Sequence, residues 1–83
     1  MFCVYIIQSE KDGSYYIGHT EDVEKRLSEH NAFNGRYTSS KKPWKIVYRE
    51  KLLSKAEAAQ REREIKKKKS RRYIEFLINS SVG

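Results

Sequence analysis

Residues 2–20 read Phe2-Cys3-Val4-Tyr5-Ile6-Ile7-Gln8, then Ser9-Glu10-Lys11-Asp12-Gly13, then Ser14-Tyr15-Tyr16-Ile17-Gly18-His19-Thr20. The first segment is rich in β-branched and aromatic residues and apolar on both parities, the pattern of a strand buried on both faces and hence central in its sheet. Ser9 to Gly13 is turn chemistry, strongest at Asp12-Gly13. Ser14 to Gly18 is then the return strand of a hairpin. A turn of four residues and one of two both fit, and either leaves Tyr5 and Tyr16 on adjacent strands near the same height. Downstream, Thr20 or Asp22 can cap a first helix whose inward face holds Val23 and Leu27. Ala32 to Pro43 has loop composition. Trp44 to Arg49 alternates as a third strand, with Ile46 and Tyr48 on one side and Val47 on the other. Ser54-Lys55-Ala56-Glu57 is a capping box opening a second helix that ends in Lys66 to Lys69, where positive charge suits the helix C-terminus. Ser70 caps a third helix carrying Tyr73, Ile74, Leu77 and Ile78 at helical spacing. The order β-β-α-β-α-α predicts an α+β fold, a small three-stranded antiparallel sheet flanked by helices.

Eighty-three residues fit one domain, expected over residues 1–79 with 80–83 as a loose tail. A chain this short buries only about 60% of its unfolded surface, so its core is thin. Lys and Arg number 18 against 11 acids, a net charge of +7, which favours polyanionic partners, nucleic acid above all. The single Cys3 excludes an internal disulfide and fits a reducing compartment. The apolar run Phe2 to Ile7 is far short of a membrane span and lacks the basic flank of a signal peptide, so a cytoplasmic protein is expected.

Three polar residues stand where a plain structural domain would place apolar ones. Arg26 and His30 fall within roughly 60° of the Val23–Leu27 direction on the first helix. They either snorkel to solvent or face a site. Glu62 lies four after Ala58 and three before Ile65, among the small and apolar positions of the second helix, where a carboxylate is costly unless it is paired or binds a cation. An ion pair with Arg26 or another base would satisfy it. Tyr5 and Tyr16 taken singly read as core aromatics, and Tyr15 packs on the face opposite Tyr16. Cys3 reads as a small buried strand residue, and His19 as a solvated turn residue with some claim to be a proton shuttle or a phosphate contact.

The ordered set Val4-Tyr5-Ile6, Tyr16-Ile17-Gly18-His19-Thr20, Arg26, His30 and Ala58-Ala59-Gln60-Arg61-Glu62 resembles the GIY-YIG nuclease domain family over essentially the whole chain. That family includes homing endonucleases, restriction enzymes, excision-repair incision nucleases and junction-resolving nucleases. Arg36-Tyr37-Thr38, Pro43-Trp44 and Val47-Tyr48 are similar to segments of its small stand-alone bacterial, UPF0213-like members. The resemblance implies a divalent-metal-dependent endonuclease, using Mg²⁺ or Mn²⁺, that hydrolyses DNA phosphodiester bonds. It assigns catalytic positions to Tyr5, Tyr16, Arg26 and His30 and the metal-binding carboxylate to Glu62. The first tripeptide departs from the family's, reading Cys3-Val4-Tyr5 without its glycine, while keeping the tyrosine. Asn79 is the one late asparagine that could match the family's. No appended DNA-binding module is evident, so selectivity would come from DNA structure, such as branched or single-stranded forms in repair or recombination, or from a protein partner.

Lys66, Lys67, Lys68, Lys69, Arg71 and Arg72 form a basic stretch that reads either as a phosphate-gripping surface or as a solvated helix face. Lys41 and Lys42 would add to the grip, and Trp44 reads as core with base stacking as its alternative. A non-catalytic DNA- or RNA-binding module of the same fold is the rival to a nuclease. A peripheral membrane protein lacks the exposed apolar helix face it would need.

Overall fold

The structure, a computed structural model, describes residues 1–32 and 40–80. Three strands, β1 (Phe2–Ser9), β2 (Tyr15–Thr20) and β3 (Trp44–Leu52), form an antiparallel sheet of order β2-β1-β3. The apolar run of β1 is therefore the central strand, as its two-sided hydrophobicity requires. Val4, Ile6 and Ile7 have no exposed surface. The hairpin turn has four residues: the Ser9 amide donates to the Ser14 carbonyl at 2.8 Å, and Gly13 takes the left-handed conformation (φ +79°). The Ser9 hydroxyl accepts from the amides of Lys11 and Asp12, which fixes the start of the turn.

This turn sets the register. Tyr5 lies opposite Gly18, and Tyr16 lies opposite Ile7. The two tyrosines thus share a face but stand two residues apart along the strands, in a diagonal relation that long side chains can span. On β3 the expected simple alternation fails. Ile6 pairs with Tyr48 whereas Ile7 pairs with Ile46, so Val47 is the extra residue of a bulge. Ile46 consequently faces one side of the sheet, and Val47 and Tyr48 both face the other.

One face of the sheet is covered by α1 (Val23–Ala32), the other by α2 (Lys55–Lys68) and α3 (Arg71–Ser80). The α2–α3 side is the apolar layer: Val4, Ile6, Ala58, Ile65, Ile74 and Leu77 are buried together, with Tyr15, Ile17 and Tyr48 packed against them. On the α1 side Tyr5, Ile7, Val23 and Trp44 form a smaller cluster with Tyr16 and Leu27 at its margin. Core burial of Trp44 removes it as a base-stacking surface.

The helix ends are capped as their sequences dictate. The Asp22 carboxylate accepts from the Lys25 amide, Ser54 from Glu57 and Ser70 from Tyr73, each at 3.0–3.1 Å. Glu57 reaches back to the Leu53 amide, which completes a capping-box-like exchange one residue upstream of the usual site. Lys69 ends α2 in the left-handed conformation (φ 47°). The far end of α1 is tied to β3 by Asn31, whose side chain accepts from the Trp44 amide and donates to the Trp44 carbonyl. Ser80 is helical rather than part of a loose tail, because α3 runs on to it. The remaining tail positions 81–83 and the Arg36-Tyr37-Thr38 segment lie outside the described residues. No helix among those residues is long and apolar enough to cross a membrane.

Candidate active site

β2 is an edge strand, and alternation sends its side chains to opposite sides. Tyr16 and Gly18 face α1, while Tyr15, Ile17 and His19 face α2. Tyr5, one strand in from that edge, lays its ring across Gly18. A Cβ at position 18 would sit 2.6 Å from the Tyr5 hydroxyl oxygen and 2.8 Å from its ring. Glycine is required there for the space it leaves, and with it the buried Tyr5 hydroxyl reaches the sheet edge.

From above this face, α1 contributes the two polar residues that interrupt its apolar stripe. His30 takes a fully inward position and is 7% exposed. Its Nε2 lies 3.1 Å from the Tyr5 hydroxyl, and its ring meets Tyr16 edge-on with centroids 4.8 Å apart. Burial, reinforced by the Arg26 charge, lowers the His30 pKa and keeps the imidazole neutral at neutral pH. Arg26 is half-exposed. It bonds Glu29 at 3.1 Å and also faces the Tyr5 hydroxyl. Burial raises the Tyr5 pKa above its ordinary value, and the contact with Arg26 offsets that only in part. In the free protein the Tyr5 phenol is therefore protonated.

Glu62 approaches from the other layer. It projects from α2 beside the β2 edge, its side chain 17% exposed, with Oε1 2.5 Å from His19 Nδ1 and Oε2 2.6 Å from Lys66 Nζ. Burial pulls its pKa up. Hydrogen bonds from Lys66 and His19 outweigh burial and leave the carboxyl below its ordinary range, hence ionised. The ion pair expected with Arg26 or another base forms with Lys66 and His19; Arg26 takes no part, because its helix lies on the opposite face of the sheet. Glu62 is nonetheless near enough for its charge to bear on the Tyr5 phenol. The site thus straddles the β2 edge. An open cleft of about 500 Å³ runs along that edge, bounded by His19 and Thr20 at one side and Lys25, Arg26 and Glu29 at the other.

Tyr5, Tyr16, Arg26 and His30 are brought together, and Glu62 stands across one strand from them. Lys41 and Lys42 are not part of this group. Lys41 lies at the hairpin tip, where its ammonium bonds Asp12 at 2.6 Å. Arg71 is also held near that tip, donating to the Gly13 carbonyl and lying over the Tyr15 ring. Asn79, on α3, lines a separate hollow with Gln8 and Tyr15, at the start of β2 and not at the cleft. Two residues of the site hold roles other than those read from sequence. His19 is a partner of Glu62 rather than a solvated turn residue, because β2 extends two residues beyond Gly18. Lys66 belongs to Glu62 rather than to a general basic surface, and the i,i+4 spacing from Glu62 was the signal for it.

The chemistry of the donors fits a hard divalent cation at Glu62. Glu62 offers an ionised oxygen ligand at a solvent-reachable edge, and among the described residues no group of three or more His, Cys, Asp or Glu side chains is placed to hold a metal. A single carboxylate suits an ion that keeps most of its waters.

Comparison with known proteins agrees with this fold. The family model described as "GIY-YIG catalytic domain" matches residues 1–74. The chain is 41% identical over 75 residues to a UPF0213 protein of Streptococcus pneumoniae serotype 4, covering 89% of this chain and 75% of the relative. It is 45% identical over 67 residues to a UPF0213 protein of Halobacterium salinarum, covering 80% and 86%. The solution NMR structure of a UPF0213 protein from Bacillus halodurans superposes with a TM-score of 0.61 at 36% identity, covering 100% of this chain and 88% of that one.

Proposed function

The chain belongs to the GIY-YIG family, a nuclease family, and on that premise we propose that it is a divalent-metal-dependent endonuclease hydrolysing DNA phosphodiester bonds. The observation that carries this reading is the buried Tyr5 hydroxyl held between His30 Nε2 and Arg26, with ionised Glu62 across the strand. Glu62 would hold the ion, Mg²⁺ or Mn²⁺, whose chemistry is to neutralise charge on the phosphoryl and leaving oxygens. Lys66 and His19, which now occupy both Glu62 oxygens, keep that carboxylate ionised and oriented.

Arg26 is directed at the phosphate. Its planar fork can hold two oxygens at once, and its exposed position at the cleft keeps it reachable. With the Arg26 charge facing the Tyr5 oxygen, the phenolic proton points at His30 Nε2. Tyr5 then acts as general base without prior ionisation: its oxygen takes a proton from the attacking water while its own proton passes to neutral His30. The net change is one water proton moved to the imidazole. Tyr16, edge-on to the His30 ring, holds that ring in place. Cleavage of duplex, single-stranded, flapped, forked and four-way-junction DNA, with Mg²⁺, with Mn²⁺ and with EDTA, tests the assignment. Metal-dependent cutting lost in Glu62→Ala, with DNA affinity kept within a few-fold, is the expected result. The preferred form in that panel identifies the substrate structure.

A second reading is a nucleic-acid-binding module that does not cut. It is favoured by the raised pKa of Tyr5 and by the complete engagement of Glu62 in the free protein. Tight binding with no cutting on any member of the panel would establish it.

A further inference from the structure

The basic stretch at the end of α2 divides into two kinds of residue. Arg61, Lys66 and Arg71 each have a carboxylate partner, Glu50, Glu62 and Glu75 respectively. Lys67, Lys68, Lys69 and Arg72 have none among the described residues. These unpaired cations surround the α2–α3 junction, where a groove of about 690 Å³ is lined by Arg61, Glu64, Lys67, Lys68 and Tyr73. Tyr73 is the groove's aromatic wall, and Phe76 extends the aromatic surface beside it. Phe76, one turn after Tyr73 on α3, is 63% exposed, and its ring stacks near Tyr73 at 6.4 Å with 26° between the planes. The Lys68 ammonium lies over the Tyr73 ring at 5.3 Å, and the Tyr73 hydroxyl faces Arg61. An exposed flat ring beside a cation-lined groove does nothing for the core, since Ile74 and Leu77 already fill the inward face of α3.

We propose that this groove is a second nucleic-acid contact, which takes single-stranded DNA by stacking a base on Phe76 while Lys67, Lys68 and Arg72 hold adjacent phosphates. The inference rests on DNA as the substrate, and adds which form of it the protein selects. Bases in a duplex hide their faces against each other, whereas an unpaired strand presents them to an aromatic platform. A lipid surface is a poorer match, because α3 exposes one large apolar side chain and not a stripe. The groove is also separate from the candidate active site. Around α2, Arg61 is rotated roughly 100° from Glu62, so the groove opens away from the β2 edge. A strand lying in it would be an arm adjoining the DNA at the cleft, which favours flapped or forked substrates over plain duplex.

The test is fluorescence anisotropy with labelled oligo-dT and with duplex of equal length, in EDTA so that nothing is cut. Phe76→Ala should weaken oligo-dT binding about tenfold and duplex binding less than about twofold. Phe76→Leu, which keeps apolar bulk but lacks the flat ring, should be weakened like Phe76→Ala. Replacing Lys67 and Lys68 with Met should reduce the salt slope for oligo-dT by about 0.7 for each lost contact. Thermal unfolding of each variant checks that it is folded, and Phe76 is exposed enough for that to hold. The proposal is overturned if Phe76→Ala binds oligo-dT like the wild type, or if Phe76→Leu restores full affinity. It is equally overturned if Phe76→Ala loses binding only to anionic phosphatidylserine vesicles. A protein that fails to cut with Mg²⁺ but shows the Phe76 effect in EDTA would refute the nuclease reading and leave this one standing.

Discussion

The two faces of the sheet share the same central strand and are built for different ends. On the α2–α3 side, Val4 and Ile6 meet Ala58, Ile65, Ile74 and Leu77, and no buried residue of that cluster is polar. On the α1 side, Tyr5 and Ile7 meet Val23 and Trp44, but the same layer admits His30 and touches Arg26. A domain this small has little core to spare. A buried imidazole and a buried phenol, hydrogen-bonded to each other, displace apolar contacts that would otherwise contribute stability. The contrast teaches that the buried polar pair is confined to one face, while the other keeps an apolar interior and carries its polar groups, Glu62 and His19, only at the rim.

Four substitutions or conditions would break or sharpen this contrast. Of these four the largest effect is expected at Arg26, where Arg26→Lys keeps the charge but loses the fork. Cleavage should drop roughly 10²–10³-fold, the cost of removing a donor to developing transition-state charge. Its unfolding midpoint should barely move, because exposed ion pairs such as Arg26–Glu29 contribute little. Next, Ile65→Ala on the apolar face should cost about 2–5 kcal/mol of unfolding free energy in urea titrations. Gly18→Ala lies between the two faces. It should cost about 1–3 kcal/mol, the range for overpacking, and should slow cleavage as well, since the new Cβ would displace the Tyr5 hydroxyl.

The smallest effect is a pH dependence. Burial and the neighbouring Arg26 lower the His30 pKa below its ordinary 6.5. On acidification the unfolded chain takes up this proton first, so stability should fall as pH drops from about 7 towards 5. Glu62 has its pKa lowered too, and its contribution is present above its ordinary 4.5 and lost only as pH falls through its folded value. Denaturation at pH 7 and 5.5 therefore isolates His30, and His30→Gln should flatten the difference.

Much of this arrangement was legible in the sequence. The two-sided apolarity of Phe2 to Gln8 marks a central strand because no edge strand in a small sheet is buried on both faces. Arg26, His30 and Glu62 stood out because each interrupts an apolar stripe. What was not legible depended on register or on packing between elements. The bulge at Val47 leaves local composition unchanged, so alternation misplaced Tyr48. Two turn lengths fitted the hairpin, which left the diagonal offset of Tyr5 and Tyr16 undecided. Arg26 is an equally good partner for Glu62 on charge alone, and only the placement of α1 and α2 on opposite faces separates them. Phe76 sits among helical apolar positions, and its exposure follows from the rotation of α3 about its axis.

The division of labour between the faces is tested most directly by single-turnover cleavage with Mg²⁺, normalised to the folded fraction, for Tyr5→Phe beside Ile65→Ala. Tyr5→Phe removes one oxygen from the α1 face, and its rate per folded molecule should fall about 10²–10⁴-fold, the usual weight of a general base. Ile65→Ala should lose stability while each folded molecule still cuts at the wild-type rate. Wild-type cleavage by Tyr5→Phe, or an equal loss of rate in the two variants, would contradict the account.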